Sequence, residues 1–224
     1  MKKSLKRRDF LGRTVLAAIA PAAVVACGRG QDVPEDAATQ TAGRESAFPE
    51  ELALNRQMPR DLVIKMLDQK VDQYMQRSHH CAQSSFLALN DQLGLQGDQV
   101  VKALTPMPGI AERGETCGAV TGPMMAMGLI YGRSMLQLDD WDRYQKCLIP
   151  TGHFCEQFEK EFGTTLCNKV QELKFGRCYQ LTDPAELAEF QNAGATEKCS
   201  EVVRKAVQLA AGIILDDPDL LKGS

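Results

Sequence analysis

Aromatic side chains are scarce in this sequence. They make up 6% of its 224 residues, and Trp141 is the only tryptophan. A core built from it has to rest on Leu, Val, Ile, Met and Ala. A basic excess is also missing: 26 Lys and Arg stand against 29 Asp and Glu, for a formal net charge of −3. That balance argues against a nucleic-acid partner. No long apolar run follows the first 27 residues, which excludes a multi-span membrane protein. No C-x-x-C occurs, so a thioredoxin-type redox pair and paired zinc knuckles are absent. The C-x-x-C-H of covalent c-type haem and the clustered runs of ferredoxins are missing too. There is no Gly-rich phosphate loop, no G-x-S-x-G and no H-E-x-x-H. Nowhere is a period-two alternation sustained, which argues against a sheet.

What the sequence does have is eight cysteines. That is many for a cytosolic enzyme and too thin a spread for a small disulfide scaffold. The first of them belongs to the N-terminal segment. A basic start leads through Arg7-Arg8-Asp9-Phe10-Leu11 into an apolar run that ends at Val24-Val25-Ala26-Cys27. The run is short for a bilayer span and has the layout of a signal peptide. The Arg7-Arg8 pair with Phe10 and Leu11 resembles a twin-arginine export signal, and the approach to Cys27 resembles a lipobox. Those resemblances imply use of the twin-arginine export machinery, export across the inner membrane to the periplasm, and a lipid anchor on Cys27 as the sole membrane attachment. Plain cleavage near Ala26 is the alternative. Six basic residues against one acidic in the first 13 leave the processed chain about five charges more acidic. Residues 28–49 hold almost no large apolar group and read as a flexible tether. Residues 50–224 form the domain.

Helical period dominates that domain. Val63, Leu67, Val71 and Tyr74 mark one face of a helix over 59–77, with Pro59 in its first turn. Ala82, Phe86, Leu89 and Leu93 mark Cys81–Leu93, closed by Gly94. A short helix follows Asp98, then a breaker at 105–109 and a polar loop. The segment 117–131 is apolar on nearly all sides and reads as central, with a kink expected at Pro123. Asp139 or Asp140 caps a helix containing Trp141, Tyr144 and Leu148 that stops before Pro150. Further helices are expected at 153–162, at 167–173 with Thr165 as cap, after Asp183-Pro184, and at 196–215 on the stripe Val203, Ala206, Ala210 and Ile213. The fold class is all-α, a single helical bundle with short connections.

The remaining cysteines are Cys81, Cys117, Cys147, Cys155, Cys167, Cys178 and Cys199. The strongest local pattern is Cys117-Gly118-Ala119-Val120-Thr121-Gly122, continuing to Gly128 and Gly132. Cysteine here falls at the start of a helix, where free N–H groups and the positive dipole end favour a thiolate or an anionic cluster. Glycines at this spacing let a neighbouring helix or a cofactor approach the backbone. The pattern resembles the bacterial C-GCAxxG-C-C family of redox-active proteins. Cys81-Ala82-Gln83, the run Phe158 to Gly163 followed by Cys167, and Cys199 before Val202-Val203 resemble its other landmarks. The likeness covers about residues 61–215. A related domain occurs in split-Soret cytochrome c, but the haem motifs are not present here.

The resemblance implies that Cys81, Cys117, Cys167 and Cys199, with Gly118 and Gly122, build one redox site. Four buried thiolates are costly without a cation to neutralise them. An iron–sulfur cluster, [2Fe–2S] foremost, meets that need, and so would zinc. Two disulfides, a thiol–disulfide couple or inert packing are the alternatives. On the leading reading the protein transfers electrons to or from a periplasmic or membrane partner rather than converting a substrate; a homodimer is compatible with it. A metal-free thiol–disulfide protein and a structural lipoprotein are the rival readings. Of the extra cysteines, Cys155 and Cys178 suit a structural disulfide, and Cys147 meets Cys155 only if Pro150 breaks the helix. His79 and His80 read as capping or solvated groups before ligands, and His153 as structural.

Overall fold

The computed structural model describes residues 49–220. The export signal with Arg7 and Arg8, the lipidation site Cys27 and the tether up to residue 48 lie outside the described residues. Contacts set off Ser46–Ser224 as one compact unit. Ten α-helices are present among the described residues. They are α1 Glu50–Gln57, α2 Arg60–Ser78, α3 Cys81–Leu93, α4 Asp98–Ala103, α5 Gly109–Glu112, α6 Gly118–Tyr131, α7 Trp141–Phe162, α8 Cys167–Phe175, α9 Pro184–Asn192 and α10 Ala195–Asp216. The described residues hold no strand beyond one isolated antiparallel bridge, Thr116 to Leu166. None of the helices is long and apolar enough to cross a membrane.

The core lies where α3, α6 and α10 meet, with α2, α1 and α7 packed around them. The periodicity explains this arrangement. Val63, Leu67 and Val71 of α2, Ala82, Phe86, Leu89 and Leu93 of α3, and Val203, Ala206 and Ala210 of α10 are all buried. In α2 the stripe ends at buried Met75 rather than Tyr74, whose hydroxyl reaches the Asp91 carboxylate at the surface. Helix α6 is buried from Gly118 through Pro123 and again at Ala126, Met127 and Ile130, as its apolar sequence requires. It runs through Pro123 as one helix.

One helix adds to those expected, and two local expectations are corrected. Residues 50–57 form α1, docked on α3 by a reciprocal amide pair: Asn55 Nδ2 donates to Gln92 O at 2.8 Å, and Gln92 Nε2 to Asn55 Oδ1 at 2.7 Å. Helix α7 does not stop before Pro150 but continues through it to Phe162, because Phe154 and Phe158 anchor its second half in the core. Before Thr151 it holds no buried residue, and Trp141, Ile149 and the preceding Met135 and Leu136 stay exposed. Helix α8 has Leu166 rather than Thr165 at its cap position, and no side chain closes that end.

Candidate functional site

Four separate helices deliver Cys81, Cys117, Cys167 and Cys199 to one cavity of about 410 Å³. Cys81 is the first residue of α3, Cys117 the N-cap of α6, and Cys167 the first residue of α8. Three positive helix ends therefore border the same cluster of thiols. Cys199 comes instead from the second turn of α10, on the side of Val202 and Val203 that faces the core.

Backbone pairing fixes two of the four. The stretch before α6 and the stretch before α8 run antiparallel: Cys117 N donates to Thr165 O at 2.8 Å, and Cys167 N to Glu115 O at 2.7 Å. Asn168 N then donates to Gly114 O at 3.1 Å. A tight left-handed turn feeds this bridge. Gly109, Ile110, Ala111, Glu112 and Gly114 all have positive φ, between 46° and 80°. For β-branched Ile110 that conformation is strained, a cost of about 1–3 kcal/mol. The turn lets Gly109 O accept from Glu115 N at 3.0 Å and brings the Gly109 backbone against the Cys167 side chain.

The thiols act on one another. Cys117 is almost wholly buried, 5% exposed, with its S–H in hydrogen-bonding reach of both Cys167 and Cys81. Those contacts, then burial, push its thiol well above the ordinary range. Cys167 moves the other way: the hydrogen bond from Cys117, aided by Gln171 Nε2 donating to its Sγ at 3.5 Å, lowers it despite burial. Burial, with the neighbouring Cys81 and Cys167, pushes Cys199 far up.

The two adjacent histidines, His79 and His80, take structural duties. His80 caps α3, with Nδ1 accepting from Gln83 N at 3.1 Å. Its Nε2 lies 3.0 Å from Thr105 O, a carbonyl that only accepts, so the proton sits on Nε2 and both ring nitrogens are engaged. His79 closes α2 in a left-handed conformation, and its Nδ1 meets Thr196 Oγ1 at 2.9 Å. His153 bonds Gln157 one turn along α7. Among the described residues no group of three or more His, Cys, Asp or Glu side chains closes on a single-ion site.

Residues 79–213 match the model of the family described as "Putative redox-active protein (C_GCAxxG_C_C)". The chain belongs to the C_GCAxxG_C_C family. No curated protein and no solved structure matches it. The matched range holds all seven cysteines of the described residues, and four of them meet in the cavity.

The C_GCAxxG_C_C glycines do something more specific than line a cofactor. A Cβ at Gly118 would fall 2.3 Å from Cys81 Sγ, so that glycine makes room for a neighbouring thiol. A Cβ at Gly122 would fall 2.0 Å from Ser85 Oγ and 2.3 Å from Ala82 O. Gly122 thus serves the close packing of α6 on α3. A Cβ at Gly128 would meet open space. The cysteines outside the motif stay apart. The Cys155–Cys178 pairing is not made: both thiols are free, Cys155 Sγ lying 3.9 Å from Met124 Sδ and Cys178 exposed in the loop after α8. Cys147 is also free, separated from Cys155 by unbroken helix. Gln171 is the site residue that sequence reasoning missed. Its one signal was the i, i+4 spacing from Cys167.

Proposed function

We propose that Cys81, Cys117, Cys167 and Cys199 together hold an iron–sulfur cluster, and that the protein carries electrons to or from a redox partner outside the cytoplasm. The observation that carries this reading is the convergence of four thiols from four helices on one buried cavity, three of them at helix N-termini. A thiol-only donor set in an apolar surround suits iron–sulfur chemistry, because iron cations offset the thiolate charge that burial would otherwise penalise. A bound cluster would supply one-electron transfer. The chain's own residues do the rest. The three helix ends stabilise negative charge, and the Gln171 amide donates to Cys167 Sγ, the type of contact that tunes the potential of a sulfur-ligated centre. Export by the twin-arginine route and anchoring through Cys27 belong to the same reading, and rest on the N-terminal sequence.

Anaerobic purification with iron and acid-labile sulfide analysis, followed by EPR after reduction, tests the proposal. Stoichiometric iron that falls sharply in Cys199→Ser is expected. Colourless, iron-free protein from anaerobic cells would overturn it.

A second reading is favoured by the contact between Cys117 and Cys167. In metal-free protein these two thiols can close a disulfide by exchange with a partner disulfide. An S–S bond forms between them, two S–H bonds break, and two electrons and two protons pass to the partner, leaving it as a dithiol. Mass spectrometry of the unreduced protein would detect a Cys117–Cys167 linkage.

A further inference from the structure

The thiols form only one wall of the cavity. A further part of the lining is apolar and comes from the end of α8, the loop after it and α9: Phe175, Leu181, Leu187 and Phe190. Helix α9 contains no buried residue. Its apolar positions Leu187 and Phe190 are half-buried because they face this space instead of the core. A volume of about 410 Å³ falls within the range of small-molecule sites, roughly 300–1,000 Å³. A lone ion needs about the space of one water molecule, ~30 Å³.

The wall is also braced as one piece. Residues 177–193 lie between Gly176 and Gly194, whose φ values of +77° and +83° place both in the left-handed region, with open space around each. Within the segment, Arg177 pairs with Glu186 at 3.0 Å and Glu189 at 3.2 Å, Gln180 N donates to Glu186 at 2.9 Å, and Asp183 caps α9. It is held to the body by ring contacts, Phe190 to Phe175 at 4.9 Å, and by Tyr179 N donating to Gln171 Oε1 at 2.8 Å. The segment is thus a self-braced flap with an apolar underside.

The lining selects the ligand. Apolar and aromatic surfaces favour a flat ring, and desolvating a net charge against them would be costly. The one lysine at the rim, Lys174, is already paired with Glu201 at 2.9 Å. Thr196, beside His79, offers a hydroxyl at the edge where a ring carbonyl could be met. We propose that the cavity binds a small, uncharged, planar ring compound of the quinone class, under the 177–193 flap and facing the four cysteines. The inference deepens the redox reading of this site and rests on it for the use made of the ligand, but not for its binding.

Titration calorimetry of the purified full-length mature protein with duroquinone tests it, since the fully methylated ring resists addition by thiols. One saturable site per chain is expected. Leu187→Trp fills the cavity and should weaken binding at least tenfold, with iron, sulfide and thiol counts unchanged. Phe190→Ala removes the ring wall without adding bulk and should also weaken binding about tenfold. Both positions are half-exposed on the flap, and circular dichroism checks that the bundle is intact. No saturable binding to the parent protein, or equal binding in either folded variant, overturns the proposal. Iron-free protein that still binds duroquinone defeats the cluster reading alone; iron-loaded protein that does not bind it defeats the pocket alone.

Discussion

At the scale of single residues, the site depends on absences of side chain as much as on sulfur. Gly122 lets α6 approach the Ala82 carbonyl and the Ser85 hydroxyl so closely that no methyl group fits between them. Gly122→Ala should therefore destabilise the protein by about 1–3 kcal/mol through overpacking, read as a lowered urea midpoint at unchanged slope. The hydrogen bond from Cys117, and to a lesser degree the Gln171 amide, lowers the Cys167 thiol, whereas Cys117 and Cys199 are raised. In reduced, metal-free protein, iodoacetamide followed across pH should label Cys167 at a lower pH than Cys117 or Cys199. Gln171→Leu should shift the Cys167 labelling curve to higher pH, and an unmoved curve would show that the amide has no electrostatic role.

At the scale of elements, short local signals set helix ends well, while packing decided whether a breaker broke anything. Asp140 and Asp183 cap the helices they precede, and Gly94 and Gly163 end theirs in left-handed conformations. Pro150 sits inside α7, where it removes one backbone hydrogen bond and crowds the Lys146 carbonyl. The helix persists because Phe154 and Phe158 are wholly buried beyond it. Pro150→Ala should accordingly stabilise the fold, by about 1–3 kcal/mol, seen as a higher urea midpoint. The left-handed turn at 109–114 is the opposite case. Its glycines hinted at a turn, but nothing local to Ile110, Ala111 or Glu112 favours positive φ. Pairing of the two cysteine-bearing segments imposes it.

At the scale of the whole molecule, three buried or half-buried thiols in one cavity couple folding to pH. Cys117 and Cys199 have folded-state values above the ordinary thiol value of 9.0, so above that pH the unfolded chain loses protons that the folded chain keeps. Stability then falls as pH rises. Cys167, lowered in the fold, adds stability as pH rises toward 9.0 and a constant amount beyond it, so it leaves the decline in place. Reduced, metal-free protein should therefore melt at a progressively lower temperature above about pH 9, and Cys199→Ala should flatten that decline. A pH-independent melting temperature in that range would contradict the buried, protonated state of Cys199.

The sequence by itself determined the all-α class, most helix limits and the glycine pattern that follows Cys117. These are properties of spacing along one chain, set by a helical period and by local caps. It also marked His79 and His80 as capping groups, which their bonds bear out. Tertiary structure alone decided what the cysteines face. The bridge between the segments before α6 and α8, the use of Gly122 for helix packing, the free state of Cys155 and Cys178, and the placing of the 177–193 flap on the cavity of the thiols all join residues far apart in sequence. Such contacts follow from which apolar faces bury one another. No local pattern around any single cysteine carries that information.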